Sequence, residues 1–383
     1  MNIHELADGS KDGLRHDVLV FPDYRVANPY QTLLYANVDS GFNVQITADW
    51  QAALAQAADP IIFHLHWEDA IYRMAPDIDA AHARAVAFVE AIDALKRRGG
   101  QFLWTIHNVR PHDGRYLAVH DALREALLPL ADLILVHHPE ALRIMREELD
   151  LPPAGCTVLP HGNYCAVYPR LGPGRKERRA AAGFEADARV LLLFGRLDSY
   201  KGARNLLEAM ARIDDPRLRL LIAGKAVDDP AALLDALPAA VRGRIDYRPG
   251  FVEPKEVAPL FDLADMVAAP YSAILTSGTA MLALSLGRPV LAPSLPGLRE
   301  WLEDGANALL YAQSEPDGLE QAIERMLALS TPDLEQLGAR ALETAHRHPW
   351  EPVHHLLNGL YARCVLNRHI PRLVGSQGWY RLD

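Results

Sequence analysis

The sequence predicts an α/β protein made of two Rossmann-like halves, each a parallel sheet with crossover helices. Three observations lead there. Short apolar strands alternate with segments of helical periodicity along the whole chain. At 383 residues the chain exceeds one ordinary hydrophobic core, so two domains are expected. Between the two series lies Tyr168–Gly174, where Pro169, Gly172, Pro173 and Gly174 form the best linker. Ligands of such sheets bind outside the carboxyl ends of the strands, here in the crevice between the halves.

In the first half, Val18–Phe21, Pro60–Leu65, Phe102–Thr105 and Leu133–Val136 are apolar runs of strand length. Ala80–Arg97 and Val119–Leu130 carry the helical period. In the second half, strands are expected at Val190–Phe194, Leu218–Ala223, Ile245–Tyr247, Met266–Ala269 and Val290–Ala292. Helices are expected near Ala203–Ile213, Pro230–Leu237, Pro254–Leu263 and Thr279–Leu286. Leu319–Leu329, Asp333–His346 and Glu351–Val365 read as the final helices.

Composition narrows the class. A net charge of -10, from 39 basic and 49 acidic side chains, argues against a general nucleic-acid binder. Cys156, Cys165 and Cys364 form neither a CxxC pair nor an even disulfide framework, which favours a reducing cytosol. The chain is polar and charged through Asp17, unlike a signal peptide. No apolar run reaches the roughly 18–20 residues needed to span a bilayer. A cytoplasmic protein is expected, at most peripheral to the inner face of a membrane.

Two stretches concentrate the chemistry. After the apolar run Val190–Leu193, the turn Phe194–Gly202 carries Arg196 and Lys201 where the chain leaves the sheet. A forked guanidinium and a point-charge ammonium there suit a diphosphate. The second stretch, Pro270–Met281, places Thr276, Ser277, Gly278 and Thr279 between a strand end and a helix start. Helix N-terminal amides with hydroxyls form an anion site; plain N-capping by Ser277 or Thr279 is the competing reading.

Phe194–Gly202 with Leu206, Gly287-Arg288-Pro289-Val290, then Pro296-Gly297 and Glu300, resemble the carboxy-terminal domain of GT-B glycosyltransferases. The nearest grouping is the bacterial family-4-like sugar transferases of exopolysaccharide assembly. Leu159–Asn163 resembles the segment those enzymes carry before their linker, and Trp350 with Tyr361 resembles their tail helix. The resemblance implies two Rossmann-like domains facing a central cleft. Residues 1–168 would form the acceptor domain, 175–349 the nucleotide-sugar donor domain, and 350–383 a helix and tail returning to the first. It places Arg196 and Lys201 on the donor diphosphate, Thr276–Thr279 on the diphosphate or donor sugar, and Glu300 near the nucleotide. A surface Glu300 capping the helix around Trp301 is the alternative.

The sequence departs from that family at one point. Two glutamates eight positions apart are general there; the matching positions here are Ile274 and Leu282. The Ser-Gly-Thr loop without glutamates resembles the inverting beta-mannosyltransferases of exopolysaccharide assembly.

An inverting transfer needs a general base on the acceptor side. His64–Asp69 and Thr105–Asp113 leave two strands of the first half. Glu68, His107 and Asp113 are the candidates, with His107 and Asp113 ahead because their turn is more densely polar. A zinc site from His64, His66, His107 and His112 competes, since His64 and His66 share a strand face; histidines hydrogen-bonded within loops are the plainer reading. Asn28–Gln31 borders the acceptor or simply starts a helix. His137-His138 ends a strand. The basic run Arg175–Arg179 reads as a solvated helix face that could touch anionic lipid. Asp77-Ile78-Asp79 reads as a helix cap and not as a metal-binding DxD.

The expected function is transfer of a sugar from a nucleotide-diphosphate sugar to a hydroxyl of a saccharide or lipid-linked acceptor, with no cofactor and no metal. A nucleotide-sugar epimerase of the same fold and a non-catalytic sugar-nucleotide-binding subunit are the other classes.

Overall fold

The structure, a computed structural model, describes residues 15–57, 61–111, 113–149, 155–197, 199–225 and 234–367. The first half of the helix expected at Pro230–Leu237, residues 230–233, falls outside them, as does His112. The chain divides into two compact units. One contains the chain up to His161 and again from Trp350; the other is Gly162–Pro349.

The first unit holds six strands: β1 His16–Phe21, β2 Phe42–Ile46, β3 Ile62–His66, β4 Gln101–Thr105, β5 Leu133–Val136 and β6 Cys156–Val158. They lie in the order β2-β1-β3-β4-β5-β6, all parallel. The central strands are buried on both faces, which is why they read as mainly apolar runs, with His64 and His66 of β3 and Thr105 of β4 as buried polar exceptions. The edge strands β2 and β6 have no fully buried residue, and their mixed sequences do not announce a strand.

The second unit holds β7 Arg189–Phe194, β8 Leu218–Gly224, β9 Ile245–Pro249, β10 Met266–Ala268, β11 Val290–Pro293 and β12 Ala308–Tyr311. Their order is β12-β11-β10-β7-β8-β9, again all parallel. The winding direction reverses between β1 and β3 in the first sheet and between β7 and β10 in the second. Each reversal opens a crevice at the carboxyl ends of the strands. Two six-stranded parallel sheets with helices are the two-domain α/β architecture expected.

Helix Trp350–Asn367 belongs to the first unit. Trp350, Val353, Leu357, Leu360, Tyr361 and Cys364 recur at helical spacing and join the core of Val18, Val20, Leu34, Ile62 and Leu135. His354 Nε2 donates to the Leu33 carbonyl at 2.8 Å, and Asn358 Nδ2 to that of Asn37 at 3.0 Å.

The division after His161 precedes the Tyr168–Gly174 segment. Tyr164 and Tyr168 are buried in the second unit, and Tyr164 N–H donates to Ser285 Oγ at 2.9 Å. Proline and glycine mark turns within a domain as readily as between domains, and only packing separates the cases.

The basic run also differs from its reading as a solvated face. Within helix Arg175–Ala181, Arg175 donates to the carbonyls of Asp262 and Ala264, and Arg178 to the Asp262 carboxylate at 2.7 Å. Arg179 is buried and donates to the Leu263 and Ala188 carbonyls, both at 2.7 Å. Asp265 accepts from Arg175 and Arg179 and also from the backbone N–H of Val190 in β7. These arginines satisfy the terminal carbonyls of helix Pro254–Leu263, which leaves their reading as a lipid contact without support. Replacing Asp265 by Ala strands buried guanidinium groups, and urea unfolding is expected to show a loss of about 3–5 kcal/mol.

Candidate active site

In the second unit the carboxyl end of β7 leads into the cationic turn. Arg196 is exposed. Lys201 is buried, and its Nζ donates to the Phe194 carbonyl at 3.0 Å. The turn Ser199–Lys201 precedes helix Ala203–Arg212, with Gly202 at φ 70° between them. A Cβ on Gly202 would lie 2.1 Å from the Pro270 carbonyl oxygen, so only glycine lets the turn rest on the loop after β10. Ser272 N–H donates to the Tyr200 carbonyl at 2.9 Å, and the Tyr200 and Tyr271 rings stack at 5.8 Å. Segments 72 residues apart in sequence thus form one surface at the switch point.

The loop after β10 ends at helix Gly278–Ser285. Ser277 caps it, its Oγ accepting from Ala280 N–H at 3.0 Å while also bonding the Tyr271 hydroxyl at 3.0 Å. Ser277 therefore has the capping role that competed with ligand binding. Thr276 stands apart: its Oγ1 is buried and has no hydrogen-bond partner. Gly278 and Thr279 supply the first amides of the helix. Behind the loop, a Cβ on Gly297 would meet the Leu275 carbonyl oxygen at 2.4 Å, so the short helix Pro296–Arg299 lies tight against it. Glu300 follows that helix and is exposed. Ile274 is half-buried and Leu282 buried, so no carboxylate enters this face of the unit from either position.

In the first unit the polar residues at the strand ends are hydrogen-bonded mainly to one another. β3 lies between β1 and β4, with His64 beside Val20 and His66 beside Thr105. His137 Nδ1 lies 3.0 Å from the Leu159 carbonyl, and its Nε2 lies 3.1 Å from His107 Nδ1. His107 Nε2 lies 2.9 Å from His66 Nδ1, and His66 Nε2 lies 2.7 Å from the Tyr35 hydroxyl. His64 Nε2 bonds Thr105 at 2.8 Å, and its Nδ1 faces Tyr35 and Tyr361.

Burial holds all of these rings neutral. It drives His64 down to about 3, and His137 to about 4 although the Leu159 carbonyl opposes the shift. His66 and His107 are held well below 6.5 by burial first and by neighbouring histidines second. A carbonyl only accepts, so His137 must carry its proton on Nδ1. His107 then donates from Nδ1 to His137, His66 donates from Nδ1 to His107, and Tyr35 donates to His66.

Two expected bases are changed by this geometry. His107 has both ring nitrogens engaged inside the chain of histidines. Glu68 is buried against Arg124, whose Nε donates to it at 2.8 Å and whose Nη2 bonds it as well. Burial alone would raise the Glu68 carboxyl, but Arg124 and His120 outweigh it and hold the group below its ordinary range. Arg124 also donates to the carbonyls of Asn108 and Val109, both at 2.6 Å, so the pair shapes the turn after β4. Asp113 lies on that turn, half-exposed, with Oδ1 accepting from Arg115 N–H at 3.1 Å.

The zinc reading needs lone pairs that converge on a point, whereas the histidines run head to tail. Among the described residues no group of three or more His, Cys, Asp or Glu is placed to hold a metal ion. Gln31 braces the turn after β1, accepting from Tyr24 N–H at 2.9 Å and donating to the Pro22 carbonyl at 2.7 Å. Tyr35, Arg124 and His137 were not legible as site residues. His137 follows β5 as His107 follows β4, and that shared placement is the signal available in sequence.

The orders of the two parallel sheets define a GT-B type of fold. Residues 188–329 match the family described as Glycosyl transferases group 1. Over 272 residues the chain is 30% identical to the GDP-mannose:glycolipid 4-beta-D-mannosyltransferase of Xanthomonas campestris pv. campestris, covering 70% of each chain. Among solved structures it is similar to sucrose-phosphate synthase from Thermosynechococcus elongatus, with TM-score 0.72, 17% identity and coverage of 92% of this chain and 100% of that one. Anabaena HepE in complex with UDP and glucose gives TM-score 0.68 at 15% identity, covering 91% and 99%. The chain belongs to the group 1 glycosyltransferases, and its activity is glycosyl transfer. No helix among the described residues is long and apolar enough to cross a membrane.

The neutral histidines make stability depend on pH. Unfolded histidines titrate near 6.5, whereas His137 and His120 titrate at about 4 in the fold. Between these values the unfolded chain binds protons that the folded one refuses. The stabilisation is complete above about pH 6.5 and is lost as pH falls towards about 4, by up to about 1.4 kcal/mol per pH unit for each histidine. Melting temperatures measured from pH 7.5 down to 4.5 should fall steeply across this window; a flat profile would contradict the buried neutral network.

Proposed function

We propose that the second unit binds a nucleotide-diphosphate sugar at the β7/β10 switch point and that the first unit supplies the acceptor site and the base. The observation that carries this reading is Thr276 Oγ1, buried without a partner beside the N-terminus of helix Gly278–Ser285. A phosphate oxygen in contact with that hydroxyl would satisfy it, while the first amides and the helix dipole favour negative charge. Arg196 and Lys201 stand on the adjoining turn and would stabilise the departing diphosphate, where charge develops in the transition state. Their charge would serve in place of a divalent metal, and Glu300 would lie towards the nucleotide.

Apolar Ile274 and Leu282 support an inverting displacement, in which the acceptor hydroxyl attacks the donor carbon as the diphosphate leaves. Its proton would go to a base of the first unit, and Asp113 is the candidate whose carboxylate is neither buried nor held by an arginine in the manner of Glu68. The Xanthomonas relative supports GDP-mannose as the first donor to test and a glycolipid as the acceptor class. Such an acceptor would bring the protein to the inner face of a membrane, in exopolysaccharide or cell-surface glycan synthesis.

Thermal shifts with GDP, UDP and their sugars test the donor site, since ligand binding raises apparent stability by mass action. Lys201→Ala is expected to weaken donor binding about 10- to 100-fold, the loss of a charge-assisted hydrogen bond; unchanged affinity would remove the phosphate assignment. Asp113→Asn should lower kcat by about 100- to 10,000-fold with donor affinity intact. Transfer should persist in EDTA, and strict metal dependence would count against the cationic arrangement.

A further inference from the structure

Trp67 follows β3 directly, at the switch point of the first sheet, in a backbone conformation that an L residue rarely adopts. Its φ is 38° and ψ 70°; among the described residues Tyr116 is the other non-glycine with positive φ. Glycine would take this turn without strain, so the backbone alone does not account for a tryptophan here. The turn delivers the indole onto His107, with the rings stacked at 3.9 Å and 12°. Tyr24 stands against the indole at 5.2 Å and 45°, and Tyr30 meets it edge-on at 6.0 Å. His107 cannot turn, because His66 and His137 hold its two nitrogens. The result is a rigid aromatic plane, and Trp67 and Tyr24 are both half-buried, with part of their surface in solvent.

We propose that Trp67, backed by His107, is a carbohydrate-stacking face that positions the acceptor sugar. The electron-rich face of an indole attracts the polarised C–H bonds on the apolar side of a pyranose ring, and stacking also removes apolar surface from water. The histidine chain, whose ring nitrogens are taken up by one another, by Tyr35 and by the Leu159 carbonyl, thereby acquires a role: it fixes the plane on which the indole rests. This inference rests on the reading that the first unit takes the acceptor.

Titration with methyl β-D-glucopyranoside and with octyl β-D-glucopyranoside below its micelle concentration tests it, read by tryptophan fluorescence. The parent should show a saturable change in emission that disappears in Trp67→Phe. Phenylalanine keeps the stack on His107 with a smaller face. Trp67→Gly relieves the backbone strain and deletes the face, and should weaken sugar affinity, followed by the melting shift, by about tenfold or more. Its nucleotide-induced melting shift should remain unchanged. A parent without a saturable response, or Trp67→Gly binding sugar within about twofold of the parent, would overturn the proposal. Failure of the nucleotide shift in the parent would instead strike the donor reading and leave the sugar response standing.

Discussion

The second unit depends on one close approach, Gly202 against the Pro270 carbonyl. Any side chain at Gly202 would push the cationic turn away from the loop after β10. With the turn seated, Tyr200 bonds Ser272 and stacks on Tyr271, and Tyr271 in turn bonds the helix cap Ser277. The turn that carries the two cations therefore rests on the loop that leads to the helix N-terminus. The parallel sheet explains why they can meet at all, because β7 and β10 are neighbours at the reversal of strand order.

In the first unit the corresponding constraint is a carbonyl. Leu159 accepts a hydrogen bond from His137, and that choice propagates through His107 and His66 to Tyr35. A buried chain with one permitted proton arrangement is rigid, and it costs stability whenever a proton enters. The rigidity serves whatever packs on it, and Trp67 packs on it directly. Arg124 works in parallel by tying Glu68 to the turn that carries Asp113.

Much of the fold was legible because the central strands of a parallel sheet are buried on both faces and are therefore mainly apolar. The edge strands β2 and β6 were not, since each mixes polar with apolar residues, and β12, though apolar, is only four residues long. Helix Trp350–Asn367 was recognisable from its period and from Trp350 and Tyr361, but its partners Leu33, Asn37 and Asp39 lie more than 300 residues away. The arginines of helix Arg175–Ala181 look like a solvated run in sequence; their partners are the end of a helix that begins 79 residues after Arg175.

By itself the sequence determined the α/β class, the two parallel series and the turn that carries Arg196 and Lys201, because strand burial and glycine-dependent turns are local requirements written in residue type. It also determined that no glutamate stands at Ile274 or Leu282. Tertiary structure alone decided which polar residues are available. Glu68, His107 and Asp113 look alike in sequence as acids and bases after a strand. Arg124 occupies the first and two histidines the second, while the third stays half-exposed on its turn. The physical reason is that a group's protonation and reach are set by its neighbours in space, and those come from strands and helices far apart in the chain.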